Sequence, residues 1–347
     1  MSKTTEIETQ SGKTLKSRVI MILKLAFVCG LLYFLAKKGF ISVQAMQQAF
    51  QRWDKIIPAV LALLFSVGLG VIRWQWLLEA HNIQLGWVKT LQLTFIGNFF
   101  NVALPGAVSG DLIKAFYIGK ELKAQKAAAF GSILFDRVVG LSALILLSAG
   151  ALLFNIGSPA NSGLIRGIQF VLTAGASGFL AFYTYLFLVR EKHDPLLKVL
   201  KWMETKVSKL SAITQIYSSL RHYHNHRITI LKALGISVII HMIVGWSCLN
   251  FAQALGETHL AIGSLYVVIP LGLLVTAIPV APAGVGTGNI AFLYLFHLIN
   301  SERGADIFSL FALTNLFVGA LGGLVYFRFR SDVQVPSLQG AEPSTAV

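Results

Sequence analysis

The stretch that decides the fold is Asn98-Phe99-Phe100-Asn101-Val102-Ala103-Leu104-Pro105-Gly106-Ala107-Val108-Ser109-Gly110-Asp111. It interrupts an apolar run that begins near residue 88, and a second short apolar stretch carries on to about 119. Pro and Gly together break a helix, so residues 88–119 read as a helical hairpin that enters an apolar layer and turns back. A similar tip recurs in the second half: Pro279-Val280-Ala281-Pro282-Ala283-Gly284-Val285-Gly286-Thr287-Gly288-Asn289 interrupts the apolar run 262–299.

Composition says what the apolar layer is. The chain has 347 residues, 55% of them hydrophobic, and only 13% are Asp, Glu, Lys or Arg. A soluble domain carries about 25% charge, and two such domains could not be solvated with this little polar material. Mean hydropathy is +0.69. Several runs reach the roughly 20 residues that cross a bilayer core. The sequence therefore predicts an all-α polytopic membrane protein. Full spans are expected at about 18–36, 56–78, 128–154, 166–190, 229–254 and 307–327, making six, with the two re-entrant hairpins in addition. Pro58 is expected in the first turn of the second span. Residues 1–17 form a polar tail, 18–330 one membrane domain, and 331–347 a disordered tail. The membrane domain divides into halves at about 18–190 and 229–330, joined by the polar segment 191–228.

The net charge is +14. The cations crowd the gaps between apolar runs, so topology explains them before nucleic acid does: Lys and Arg stay on the cytoplasmic side. Segment 190–232 holds nine Lys or Arg against three acids, and 114–126 holds four Lys against one Glu. Loops 155–165 and 255–261 hold no Lys or Arg. These counts place both termini on the cytoplasmic side of an inner membrane. The first hairpin then enters from the cytoplasm and the second from the opposite face, as in an inverted repeat. Lys37, Lys38, Arg52 and Lys55 run against this topology.

Paired interrupted segments in two halves point to a transporter's binding site. Non-helical backbone at membrane depth persists where it is buried in protein or lines a wet cavity. Glycines at 106, 110, 284 and 286 let the backbone approach a ligand, and a helix starting beyond a turn presents N–H groups to an anion. Charges inside the membrane are costly and mark function. Asp111 and Lys114 lie three apart on one helix face, and Asp136 and Arg137 sit well inside the fourth span. Adjacent helical residues do not face each other, so each needs a partner elsewhere. Arg73 and Lys114 are the candidates for Asp136, and Asp111 for Arg137. In this reading the acids hold the cations, while Arg137 and Lys114 meet a lipid phosphate. Asn98, Asn101 and Asn289 hydrogen-bond the headgroup. Ordinary short helices with structural ion pairs are the rival account.

Three other features need an explanation. His222-Tyr223-His224-Asn225-His226 resembles a metal tract, but only His222 and His226 share a helix face, so a solvated face is the plainer reading and no metal is expected. Leu196, Leu197, Leu200 and Met203 alternate with Lys198, Lys201, Lys206 and Lys209, an amphipathic pattern that reads as a helix lying on an anionic leaflet, with simple solvent exposure as the rival. Cys29 and Cys248 each sit inside an apolar run, as buried thiols. No P-loop, His-Glu-x-x-His or Gly-x-Ser-x-Gly motif occurs, and acids are too scattered for paired acid–base chemistry. The chain reads as a non-enzyme without cofactors.

These motifs resemble a known family. Asn98 to Asp111, followed by Lys114-Ala115-Phe116-Tyr117, resembles the first signature of the lysylphosphatidylglycerol synthase transmembrane region, also called the flippase-like membrane domain. Asp136-Arg137-Val138-Val139-Gly140-Leu141 resembles its acidic-Arg-x-x-Gly helix. Pro279 to Gly286 resembles its second Pro-Gly tip. Lys114 stands where the family often has Arg, and Gly288-Asn289 where it often has Arg-Glu. The resemblance implies translocation of an anionic or aminoacylated phospholipid, or a lipid-linked molecule, between leaflets. Bifunctional members add an aminoacyl-transferase domain, for which the tail after 330 leaves no room. Membrane lipids are the expected partners, with a second copy or a lipid-synthesis enzyme left open. An ion-coupled small-solute transporter and a non-transporting lipid-binding subunit are the alternative functions.

Overall fold

The computed structural model describes residues 37, 42–103, 109–122, 125–153, 163–207, 210–276 and 284–332. Among them twelve α-helices form and no strand does. They are α1 Val43–Gln51, α2 Trp53–Glu79, α3 Trp87–Ala103, α4 Ser109–Glu121, α5 Lys126–Leu153 and α6 Gly163–Leu188. Then follow α7 Pro195–Lys206, α8 Ser211–His222, α9 Arg227–Ala254, α10 Ile262–Thr276, α11 Thr287–His297 and α12 Gly304–Asp332. The expected first span at 18–36, both tails, and the two tips at 104–108 and 277–283, Gly106 included, lie outside the described residues.

A bilayer core offers the backbone no water, so a crossing segment must satisfy its own N–H and C=O groups as a helix. Five helices have the length and apolarity to cross: 53–79, 126–153, 166–188, 227–254 and 304–328. They coincide with the five expected full spans that the described residues cover. Some of their hydroxyls bond within the helix: Ser66 Oγ donates to the Leu63 carbonyl at 2.7 Å and Ser142 Oγ to Val139 at 2.9 Å. Two details differ from expectation. α2 begins at Trp53, so Pro58 stands in its second turn. Residues 43–51 form an additional short helix, capped by the Ser42 hydroxyl at 3.2 Å from the Ala45 N–H.

The remaining apolar helices are too short to cross. At ~1.5 Å per residue α4 spans about 20 Å and α11 about 17 Å, against a core of roughly 30 Å. α3 packs back on α4, and α10 on α11. The Lys89 ammonium pairs with Glu121, joining the start of α3 to the end of α4. Each pair of short helices therefore runs antiparallel, and the two pairs open at opposite ends of the molecule. Trp74 and Leu78, late in α2, cluster with Leu85, Leu93, Ile118 and Ala129 at the open end of the first hairpin. Ala49 in α1 and Ile56 at the start of α2 cluster with Leu255, Leu260, Phe296 and Ile307 at the open end of the second.

Packing follows a two-fold pattern. Match α2 with α9, α3 and α4 with α10 and α11, and α5 with α12. The extensive α2–α9 contact then maps onto itself, α3–α12 onto α5–α10, and α4–α5 onto α11–α12. Each half thus packs its hairpin against a long helix of the other. Glycine makes the α3–α12 approach feasible: a Cβ on Gly322 would lie 2.0 Å from the Phe95 carbonyl oxygen. Small residues at helix crossings are the usual route to close packing in membranes.

Candidate functional site

A cavity of about 430 Å³ lies where the halves meet. Six helices line it, with Arg73 on α2, Asn98 on α3, Asp111 on α4, Asp136 on α5, His241 on α9 and Thr276 on α10. Asn101, Lys114 and Arg137 share the wall. The sequence-predicted residues Asn98, Asn101, Asp111, Lys114, Asp136 and Arg137 thus converge on one space, although 39 positions separate Asn98 from Arg137.

The charges pair as the spacing requires. Arg73 donates from Nε and Nη2 to the two oxygens of Asp136, at 2.7 and 2.9 Å, and from Nη1 to Ser237 Oγ at 2.8 Å. That two-point grip is the strong geometry for guanidinium and carboxylate. It commits Arg73 to structure. Arg137 pairs with Asp111, bridging α5 to the helix after the first tip, and its side chain stays 43% exposed. Lys114 is only 8% exposed. Its ammonium sits 3.9 Å above the centre of the Trp74 ring, a cation–π contact. No described carboxylate forms an ion pair with it. Its stem runs against Gly97, where a Cβ would come 2.8 Å from Lys114 Cδ. Three cations against two carboxylates leave the cavity net positive.

Asparagines hold the tips. Asn101 Oδ1 accepts the Gly110 N–H at 2.8 Å across the first tip, and Gly110 passes so close that a Cβ would lie 2.0 Å from the Gly97 carbonyl oxygen. Asn289 does the matching job in the second half. Its Oδ1 accepts the Gly286 N–H at 3.0 Å, and its Nδ2 donates to Ala305 O at 3.0 Å and Ser309 Oγ at 2.8 Å. The structure therefore corrects the expectation for Asn289: it is buried away from the cavity, with its amide committed to the hairpin and α12. Gly284 and Gly286 are not on the cavity wall either; they adopt φ of +68° and +90° and form the turn into α11. The second half reaches the cavity instead through Leu273 and Thr276, which precede that turn. Ser66 and Thr94 line the wall too, and Trp74, near the end of α2 where Trp would anchor at an interface, is instead buried under Lys114. A small polar residue in a span gives little signal until its neighbours are known. His241 Nε2 lies 3.0 Å from the Gly140 carbonyl oxygen, an interhelical bond between α9 and α5.

The histidine tract lies elsewhere. His222 stacks on His81 at 4.9 Å and lies 5.1 Å from His226. Its Nε2 is 3.1 Å from the Ala80 carbonyl oxygen. Among the described residues no group of three or more His, Cys, Asp or Glu could hold a metal.

With this geometry in place, comparison with known proteins decides the family. The match to the lysylphosphatidylglycerol synthase TM region covers residues 21–327. The chain belongs to that family. Its curated relatives include a UPF0104 membrane protein of Methanocaldococcus jannaschii, 20% identical over 304 residues, covering 83% of this chain and 86% of the relative. Another is a UPF0104 membrane protein of Pyrococcus horikoshii, 25% identical over 182 residues. That alignment covers 52% of each chain, so this chain spans about half the length of that relative. No solved structure matches the chain. The family's first two motifs, as they stand here, supply Asn98, Asn101, Asp111, Lys114, Asp136 and Arg137, all on the cavity wall.

Proposed function

We propose that the protein translocates an anionic or aminoacylated phospholipid, or a lipid-linked molecule, between the leaflets of the cytoplasmic membrane, with both termini on the cytoplasmic side. It does so without enzymatic activity and without a cofactor. The headgroup enters the cavity while the acyl chains stay in lipid. One observation carries this reading: a net-positive, polar cavity sits within a bundle of membrane-crossing helices, walled by one hairpin from each half. Polar groups at membrane depth are expensive unless a hydrated path or ligand uses them. Arg137 and Lys114 supply the phosphate contacts, with Arg137 the more accessible of the two. Asn98 lines the wall beside them. Membership of the family supports a lipid over a small solute.

The test is leaflet exchange. Purified protein goes into liposomes holding fluorescent phosphatidylglycerol, and a membrane-impermeant reductant bleaches the outer leaflet. Bleaching should pass the outer-leaflet half with the wild type and stop there with Arg137→Ala. A folded wild-type protein that leaves the inner half protected removes this lipid from the reading.

A further inference from the structure

The amphipathic helix α7 has a face that the cavity does not use. Its geometry is fixed by a buried elbow. Asp194 is 0% exposed and Arg221 2%, and they pair at 2.8 Å. Asp194 caps α7 by accepting the Leu197 N–H at 3.0 Å. It also accepts the hydroxyls of Tyr185 at 2.7 Å, from the last turn of α6, and Tyr217 at 2.9 Å, from α8. Arg221 donates to the Val189 carbonyl oxygen as well. Burial pushes the Asp194 carboxyl up; the Leu197 N–H, both tyrosine hydroxyls and Arg221 outweigh it and hold the group below its usual range. α7 is therefore pinned, by this ion pair and the hydrogen bonds to Asp194, to the end of a membrane-crossing helix.

The same joint sets the height of α7. Arg227 Nη2, in the first turn of α9, donates to the Phe187 carbonyl oxygen at 2.8 Å, so α6 ends level with the start of α9. Both are membrane-crossing helices, and α7 starts seven residues past Leu188. It begins beside the ends of two apolar helices long enough to cross a membrane. Around its axis, Leu197 faces inward. Leu196, Val199 and Met203 follow each other at i, i+3 and i+7, and with Trp202 they cover an arc of about 120°. All four are exposed, Trp202 at 63% and Val199 at 50%. Lys198 flanks this arc, Lys206 projects from within it at the last residue of the helix, and Lys192 and Lys201 are exposed as well. A soluble surface gains nothing from four adjacent apolar side chains. A headgroup layer accommodates them, favours Trp at that depth, and attracts lysines when anionic.

We propose that α7 is seated on the anionic leaflet on its side of the membrane, its Leu196–Val199–Trp202–Met203 face at the acyl boundary and its lysines on lipid phosphates, with the Asp194–Arg221 elbow fixing the angle. This surface stands apart from the cavity and from any translocation by it.

The test uses the full chain, with Cys29→Ser and Cys248→Ser, reconstituted into vesicles of phosphatidylcholine alone or with added phosphatidylglycerol. Spin labels attach at Val199→Cys or Lys198→Cys. In the phosphatidylglycerol vesicles, the label at 199 should collide several-fold more with oxygen than with an aqueous nickel chelate, and the label at 198 should show the reverse. Immersion at 199 should deepen when phosphatidylglycerol is present, and Lys198→Gln/Lys201→Gln/Lys206→Gln should erase that lipid dependence. Equal nickel access at 198 and 199 overturns the proposal and leaves the face to water or a soluble partner. Equal immersion in both vesicle types overturns its anionic part.

Discussion

Asp136 and Arg137 are neighbours in sequence with opposite duties. Asp136 holds Arg73 by two short bonds, with both side chains largely buried. Removing one partner strands the other charge, which costs about 3 kcal/mol at the lower end of such losses. Asp136→Asn should therefore lower the unfolding midpoint in detergent markedly, and the double variant Arg73→Met/Asp136→Leu should recover much of the loss. Arg137 is 43% exposed, and an exposed ion pair contributes only about 0–1 kcal/mol. Arg137→Ala should leave the midpoint nearly unchanged while abolishing leaflet exchange; a large drop in stability would recast Arg137 as structural. His81, just beyond α2, gives a pH prediction. Burial, with His222 and His226 close by, pulls its imidazole from 6.5 to about 4. The unfolded chain takes up a proton near 6.5 that the fold refuses until about 4. Stability should then fall as pH drops through that window and level off below it. Thermal unfolding from pH 7 to 4 checks this, and His81→Phe should flatten the profile.

At the scale of elements, the close packing of α3 on α12 is the most exposed to a single change. Gly→Ala inside a helix gains about 1 kcal/mol of propensity. At Gly322 the new Cβ would meet the Phe95 carbonyl oxygen at 2.0 Å, and backbone cannot rotate aside. Overpacking of this kind costs about 1–3 kcal/mol, so clash should win. Gly322→Ala should lower the midpoint by roughly 1 kcal/mol in stability, whereas Gly178→Ala, with nothing within 4 Å of its Cβ, should not. The hairpins obey the same economy of space. Asn101 and Asn289 each accept a glycine N–H of their own hairpin, so these two backbone donors are satisfied by protein. Their likeness was visible as a residue type at each tip. Its purpose was not, because an amide beside a Pro-Gly turn serves equally well as ligand or clasp, and only the bond partners distinguish them.

At the scale of the molecule, two hairpins opening at opposite ends predict a labelling pattern. Single cysteines at Lys120→Cys and Glu302→Cys, in the Cys29→Ser/Cys248→Ser background, should react with an impermeant maleimide from opposite sides of a sealed vesicle. Reaction from one side would sink the inverted arrangement. The five described spans, both hairpins and their two ends could be read along the chain, because hydrophobic length and cation placement are local consequences of what a bilayer does to a backbone. So could the charged residues that line the cavity, since a charge inside a span stands out against its surroundings. Which charge meets which was narrowed by helix geometry to a few candidates, and tertiary packing chose among them: Arg73 for Asp136, an aromatic ring for Lys114. Packing also turned Asn289 away from the cavity and brought Thr276 to it. The sequence by itself determined the membrane fold and the chemistry present in it, because hydration cost acts residue by residue. Only the tertiary structure decided which groups face the cavity and which clasp the frame, because a polar side chain in a membrane bonds to whatever its neighbours present.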